Sequence, residues 1–508
     1  MVTSKELHHY GIGMLLIIVL VLGMINIEST PPLWWDEGWL LSIARNWVEL
    51  GLYGRLLHGK PISSSLTNGF PVIAPIALSF KLFGVGTWQG RIPIEVFSMG
   101  ALVLVYYLAY RLYGTLVAIG TLSVLILIPA YQDLHPILMG RQVLGEMPVL
   151  FYLLAGYGCF LRTEDTLLWA MPAVVFWAIA LITKLQVLPF LMAALLLPLA
   201  VALMKRIWRV ASLLAFALVG SVVVSRLLLW LLQLLLHNPT LPIPQTTGLY
   251  EVTAVVSSIP ARLFALIVLF SFGMPTLFGL CYGLWSFVRD KNTLTTHTNT
   301  VRLSLLVLAS SWFAWYVTLS VGWIRYLFPA TFVGSVFVAA MVYELTNGFS
   351  LSSTIRQGMS ALTDFNFNRR SLGALLVIVL IATSVPRTLF MLYKSYVLDS
   401  DASVQQVAQF LNTHTASGAL VETYDSELFF LLDRPYHYPP DQIHIDLNRR
   451  TFLYEDLPID YDPLAENPDY LVIGPHSRQW RLYDRVLKTG AFHLLRAYHR
   501  YTVYERVR

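Results

Sequence analysis

Residues 11–38 read GIGMLLIIVLVLGMINIESTPPLWWDEG: an apolar run over 11–27, a break at Thr30-Pro31-Pro32, two tryptophans and then adjacent carboxylates, Asp36 and Glu37. A run of that length is enough to cross the hydrocarbon core of a bilayer as a helix. No small-residue cleavage site of the A-x-A kind follows it, so it is predicted as a retained first membrane helix rather than a cleaved signal peptide. The acidic pair then falls just outside the membrane, where a second helix begins.

The rest of the chain extends this reading. Of 508 residues, 56% are hydrophobic and 13% are charged, about half the charged share of an average soluble domain. A water-exposed surface cannot be built from that composition. The net charge of +5 and pI near 9.0 do not point to nucleic acid, because phosphate recognition needs clustered Lys and Arg interleaved with aromatics, and here the basic residues are scattered between apolar runs. Cys159 and Cys281 both lie inside apolar segments, which supports neither a disulfide framework nor a cysteine metal site.

Further membrane-length runs lie near 93–111, 114–130, 146–161, 167–183, 185–204, 209–236, 258–288, 302–320, 327–345 and 373–393. The fold class predicted is therefore an α-helical polytopic membrane protein with about eleven spans. With the N-terminus in the cytoplasm, Arg111, Arg162, Lys205, Arg206, Arg209, Arg289, Lys291, Arg369 and Arg370 all fall on the positive, inner side. Residues 1–395 then form the membrane domain. Its first outer loop, 31–92, carries an amphipathic helix from Gly38 to Leu50 and a Pro-interrupted, half-inserted helix from Phe70 to Gly84. Irregular chain at membrane depth survives only against protein or a water-filled cavity, so this loop suggests a site. Residues 396–508 change to strand and turn grammar, with Ala419–Thr423 and Tyr470–Gly474 as strands after a helix over Val404–Asn412, a small α/β domain outside the cytoplasm. The inner loop from Asn347 to Arg370 is polar and carries no evident chemistry.

Charges near a membrane are costly and default to functional roles. On the inferred outer side stand Asp36, Glu37, His58, Lys60, Arg91, Asp133, His135, Arg141, Glu146, Lys184, Glu251 and Arg325. Cations retained there suit an anionic ligand such as a phosphate at the membrane surface. The order Trp35-Asp36-Glu37, Lys81-Leu82-Phe83-Gly84, Arg91-Ile92-Pro93, Arg141 with Gly145-Glu146-Met147-Pro148, Thr183-Lys184 and Arg325-Tyr326-Leu327-Phe328-Pro329 resembles the GT-C superfamily of polyprenyl-phosphate-sugar glycosyltransferases, the group of protein O-mannosyltransferases and lipid A aminoarabinose transferases. The tail stretch Val421–Leu428 is similar to the outer domains of many bacterial members.

The resemblance implies an inverting transfer of a sugar from a polyprenyl-phosphate donor to a lipid, glycan or protein acceptor outside the cytoplasm, in a prokaryotic plasma membrane. Asp36 is the candidate base, with Glu37 beside it in the catalytic pair. Arg141, Lys184 and Arg325 would hold the donor phosphate, and Glu146, Arg91 and Trp35 would support them. No soluble nucleotide cofactor is implied, and a divalent metal at the carboxylates stays open. Plainer readings stand beside these: helix capping for Asp36 and Glu37, interface anchoring for Trp34 and Trp35, a structural ion pair for Arg141 with Glu146, snorkelling for Lys184, aromatic stacking for Arg325, and ordinary surface positions for His58, His135 and Asp133. A lipid-linked saccharide flippase, or a ligase using a lipid diphosphate, are the alternative functions.

Overall fold

In a computed structural model, residues 4–62, 69–236, 246–289, 296–363 and 368–507 are described, with side chains from residue 13 onward. Lys291, one of the cations on the predicted inner side, lies outside them, as do 1–3, 63–68, 237–245, 290–295, 364–367 and 508 of the predicted domain and loop ranges.

Every predicted span is helical. Helix α1 (Ser4–Met24) leads to α2 (Trp35–Leu50), α3 (Phe70–Phe83), α4 (Thr87–Tyr113), α5 (Thr115–Leu127), a short α6 (Pro136–Gly140), α7 (Glu146–Leu161), α8 (Ala170–Thr183), α9 (Leu188–Met204) and α10 (Trp208–Leu236). After a short α11 (Leu249–Thr253), α12 (Ile259–Val268) passes through one π-helical turn into α13 (Met274–Arg289). Then α14 (His297–Thr318), α15 (Phe328–Leu345), α16 (Leu351–Thr363) and α17 (Arg369–Tyr393) complete the membrane domain. Seven of these, namely α4, α9, α10, α12 joined to α13, α14, α15 and α17, are long and apolar enough to cross a bilayer by length and composition alone. Shorter apolar helices, including α1, α3, α5 and α8, fill the bundle between them.

Burial separates the helices by role. Helix α15 is apolar all round and buried from Phe328 to Met341 with few breaks, the pattern of a helix enclosed by others. Helix α10 exposes Leu227, Trp230 and Leu234, an apolar face that suits lipid rather than water. Where α13 meets α15, Gly279 lets the helices approach until a Cβ there would lie 2.6 Å from the Val338 nitrogen. Small residues at such crossings allow the close packing that drives helix association in lipid. The polar 347–370 segment, read from sequence as a loop, contains a helix: α16 turns Thr354, Gly358 and Ala361, spaced i, i+4, i+7, toward α17.

In the first outer loop α2 and α3 lie where they were predicted. Between them is a hairpin the sequence reading missed, β1 (Arg55–Leu57) paired antiparallel with β2 (Lys60–Ile62). Its two turn residues, His58 and Gly59, have φ of 54° and 73°, the positive pair a two-residue hairpin turn demands. His-Gly is a weaker signal than Asn-Gly, which is why it passed as loop.

The tail is an α/β domain. After α18 (Ser403–His414) come β3 (Val421–Thr423), β4 (Tyr436–His437), α19 (Asp441–Asn448), β5 (Tyr470–Ile473), α20 (Pro475–Gln479), α21 (Asp484–Lys488), β6 (Phe492–Ala497) and β7 (Thr502–Arg506). The sheet runs β4-β3-β5-β7-β6, parallel through its first three strands and antiparallel through the last three.

This domain shares its core with the first outer loop. Trp35 donates its indole N–H to the Tyr424 carbonyl at 2.9 Å, and Ser426 donates its hydroxyl to the Trp35 carbonyl. Trp39 packs edge-on to Phe429 and Tyr438, each at 4.8 Å. Buried Arg55 holds Asp441 with two nitrogens at 3.1 and 2.8 Å. The closest approach is at Gly38, where an added Cβ would fall onto the Ser426 carbonyl. Gly38→Ala must therefore push two backbones apart, and overpacking of this kind costs about 1–3 kcal/mol. Thermal unfolding in detergent is expected to show a lowered midpoint, with the tail released first by limited proteolysis; an unchanged midpoint would mean that the two backbones part at no cost.

Candidate active site

The site is built on the start of α2. Trp34 caps the helix in extended conformation (φ −107°, ψ 149°), and Glu37 reaches back to accept the Trp34 backbone N–H at 3.0 Å. Carboxylates suit a first helical turn because they complement the positive end of the dipole. Glu37 does more than cap. Its two oxygens take Arg91 Nε at 3.0 Å and Nη2 at 2.8 Å, and Oε1 also takes the Val143 N–H at 2.9 Å. Arg91 spends its remaining nitrogen on the Ile27 and Pro31 carbonyls at 2.7 and 2.9 Å. Both side chains are 0% exposed. Glu37 is thus a brace joining α1, α2, α4 and the α6–α7 turn, and it does not reach the cavity described next.

Asp36, one position earlier, points the other way. Its side chain is 26% exposed and pairs with Arg325. Oδ2 takes both the Arg325 guanidinium and the Trp34 indole N–H, the latter at 3.3 Å. Among the described residues Asp36 makes no capping bond to backbone. Burial pushes its carboxyl up, but the neighbouring Arg325 outweighs this and holds it below the ordinary aspartate value, so it stays ionised at neutral pH.

The other groups come from breaks between helices. Lys184 sits in extended backbone between α8 and α9 (φ −151°, ψ 109°). Glu146 opens α7, and Arg325 lies in a 3-10 turn just before Phe328-Pro329 starts α15. Lys184 Nζ meets Glu146 Oε1 at 2.5 Å. Arg325 lies 5.2 Å from the Trp323 ring, 5.7 Å from Tyr326 and 5.9 Å from Trp34, so the stacking role and the charge role coincide. Asp36, Glu146, Lys184 and Arg325, four of the residues singled out from sequence, line one cavity of about 960 Å³, together with Trp35. Its walls are otherwise largely apolar and aromatic, with Phe190, Phe264 and Trp315 from the bundle and Phe452 from the tail.

Three singled-out residues stand elsewhere. Glu37 and Arg91 form the buried brace. Arg141 is also 0% exposed, donates to the Leu22 and Ile25 carbonyls at the end of α1 and lies 5.0 Å from the Tyr396 ring. Its charge is used on a helix C-terminus, so its expected part in holding a phosphate does not fit its position, nor does a pair with Glu146. The carboxylates do not converge on one point for a metal either, since Asp36 faces Arg325, Glu146 faces Lys184 and Glu37 faces Arg91. Trp35 is 5% exposed and anchors the tail domain, not a membrane interface.

Sequence reasoning missed other wall residues. His444 stacks on Trp35 at 4.4 Å and 9°, held by Tyr424 Oη at 2.5 Å and Asn448 at 2.9 Å. His476 meets Trp34 edge-on at 5.0 Å. Both lie in the tail, more than 400 residues along the chain from the acidic pair, and no spacing rule connects them. Asp133, read as an ordinary surface residue, lines the cavity. Burial raises its carboxyl to about 6 even though Arg325 pulls it down. His135, read likewise, is 0% exposed and bonds the Ile126 carbonyl at 3.0 Å, whereas His58 is a surface residue beside Glu466.

An acidic loop after the first helix, helix breaks around a cavity, a bundle of apolar helices and an appended α/β domain define a multi-pass membrane protein of GT-C fold. No known protein-family profile matches the chain, and no curated protein matches it in sequence. Among solved structures it is similar to ArnT from Cupriavidus metallidurans bound to undecaprenyl phosphate, with a TM-score of 0.66 and 15% identity over 98% of both chains. The apo state of the same protein gives 0.63. The Archaeoglobus fulgidus oligosaccharyltransferase in its apo form gives 0.53 at 11% identity, over 94% of this chain and 71% of that one.

Proposed function

We propose that this protein is a membrane glycosyltransferase that moves a sugar from a polyprenyl-phosphate donor to a hydroxyl acceptor outside the cytoplasm. The observation that carries the reading is the pairing of Asp36 with Arg325 and of Glu146 with Lys184 at the wall of one largely apolar cavity. An apolar cavity suits an isoprenoid chain, and two cations at its polar end suit a phosphate. The ArnT likeness, to a protein solved with undecaprenyl phosphate, supports the same donor class. The orientation that fits has the N-terminus in the cytoplasm and the tail domain outside.

The chemistry is a single displacement with inversion at the anomeric carbon. The acceptor oxygen attacks from the face opposite the phosphate while Asp36 takes its proton, and the polyprenyl phosphate leaves with the bonding pair. Charge grows on the phosphate oxygens in the transition state, and preplaced cations stabilise it there. Lys184 and Arg325 supply them, each already held in place by a carboxylate. A phosphate arriving between them competes with Asp36 for Arg325, which frees the Asp36 carboxylate for the acceptor.

Release of polyprenyl phosphate from a panel of radiolabelled polyprenyl-phosphate sugars, by protein in nanodiscs supplied with membrane extract, tests this reading. Turnover of one donor is expected, and no release from any donor would sink it. In the same preparation Lys184→Met is expected to weaken competition by undecaprenyl phosphate about 10- to 100-fold, the loss of one charged hydrogen bond. Unchanged competition would remove Lys184 from the phosphate site.

A further inference from the structure

Behind Trp34, on the tail's side, Asp425, Glu427 and His476 bring two carboxylates and an imidazole together, with one ligand atom of each within 4.8 Å of the others. Asp425 is held in place. Its oxygens accept the Gly474 and His476 backbone N–H groups, both at 2.8 Å, and the Ser477 hydroxyl at 2.5 Å. Glu427 is only 1% exposed. Its Oε1 takes the Tyr501 hydroxyl at 2.6 Å, yet Oε2 is buried with no partner, and so is Nδ1 of His476. That nitrogen lies 4.0 Å from Asp425 Oδ1. A buried carboxylate oxygen and a buried imidazole nitrogen left without partners in one cluster are costly unless something else satisfies them.

We propose that Asp425, Glu427 and His476 bind a divalent cation of the zinc class, with water completing the shell. One nitrogen and two carboxylate oxygens are a donor set zinc accepts. In a tetrahedral shell the donors stand about 3.3 Å apart, so small rotations of the Glu427 and His476 side chains close the site. Asp425 Oδ1 keeps a lone pair free beyond the N–H it accepts. This site is separate from the Asp36 and Glu146 carboxylates, and nothing in the proposed transfer passes through it.

Its place in the fold gives it a purpose. Ser426, between two of the ligands, is the residue that packs its carbonyl on Gly38 and donates to Trp35. His476, the third ligand, lies against Trp34. A cation here ties the tail domain to the first turn of α2 and so positions Asp36 through its neighbours Trp34 and Trp35.

The test uses full-length, untagged protein in nanodiscs, stripped with a chelator and titrated with Co²⁺. One tightly bound equivalent is expected, with the intense visible bands of a low-coordinate site, displaced by Zn²⁺. Glu427→Gln and His476→Gln are each expected to weaken binding at least about a hundredfold, beyond the effect of losing a mere second-layer partner, while Glu455→Gln, an unrelated carboxylate, binds as wild type does. Should the ligand variants fail to fold, the wild type alone decides: Zn²⁺ is expected to raise its unfolding midpoint and a chelator to reverse this. Absence of a stoichiometric Co²⁺ site in the wild type, or wild-type spectra from both ligand variants, would show that Glu427 and His476 share a proton instead and overturn the proposal.

Discussion

Asparagine in place of Asp36 is expected to slow release of polyprenyl phosphate by about 10²- to 10⁴-fold, the range for removing a general base. The substituted amide keeps the size of the side chain and an oxygen for Arg325, so the fold and the Arg325 position survive and the loss reports chemistry. Release at the wild-type rate would make Asp36 a structural partner of Arg325 and send the search for a base to Asp133, the carboxylate in the cavity wall that, unlike Glu146, is not paired with a cation among the described residues. The pH dependence sharpens this test. Burial acts to raise the Asp36 carboxyl and Arg325 to lower it, with Arg325 prevailing. A depressed carboxyl is ionised above its ordinary value and loses its charge only as pH falls through the lowered one. The acid limb of kcat/KM is therefore not expected from Asp36 anywhere near neutrality. Arg325→Gln removes the group that holds it down, so whatever activity remains should acquire an acid limb at higher pH. An acid limb that does not move would show that Asp36 is not the titrating base.

The largest effect on stability is expected from the Glu37–Arg91 brace. Both groups are fully buried, and every hydrogen bond in the cluster serves to keep two charges satisfied away from water. Arg91→Met leaves the Glu37 carboxylate uncompensated, which costs about 3–5 kcal/mol for a buried pair. Chemical unfolding in detergent should show that loss. The double variant Glu37→Leu with Arg91→Met should recover much of it, because no charge is then stranded. The same pair separates two roles for Glu37: its Gln variant is expected to lose stability but keep its rate per folded molecule. A Glu37→Gln protein as stable as wild type yet inactive would return Glu37 to the chemistry, where the sequence reading had placed it.

The contrast between Asp36 and Glu37 shows how far one-dimensional reading reaches. Adjacent carboxylates at a helix start were enough to mark a site, but neighbours on a helix diverge by about 100°. One therefore enters the cavity and the other turns into the protein. Arg141 and Lys184 make the same point. Both are lone outer cations in the sequence, and only their surroundings separate a cation buried against the carbonyls of α1 from one that stands at a cavity wall beside Glu146.

Membrane class, the helical runs, the two outer-loop helices and the α/β tail were all legible from composition and period, because lipid imposes long apolar runs and a sheet imposes alternation, both of them local patterns. The turn toward the cavity of Asp36 but not Glu37, the imidazoles that His444 and His476 add to its wall, the Gly38 approach to Ser426 and the Asp425–Glu427–His476 cluster depend on contacts between segments far apart in the chain. Such contacts are set by packing in three dimensions, and no spacing along the chain encodes them.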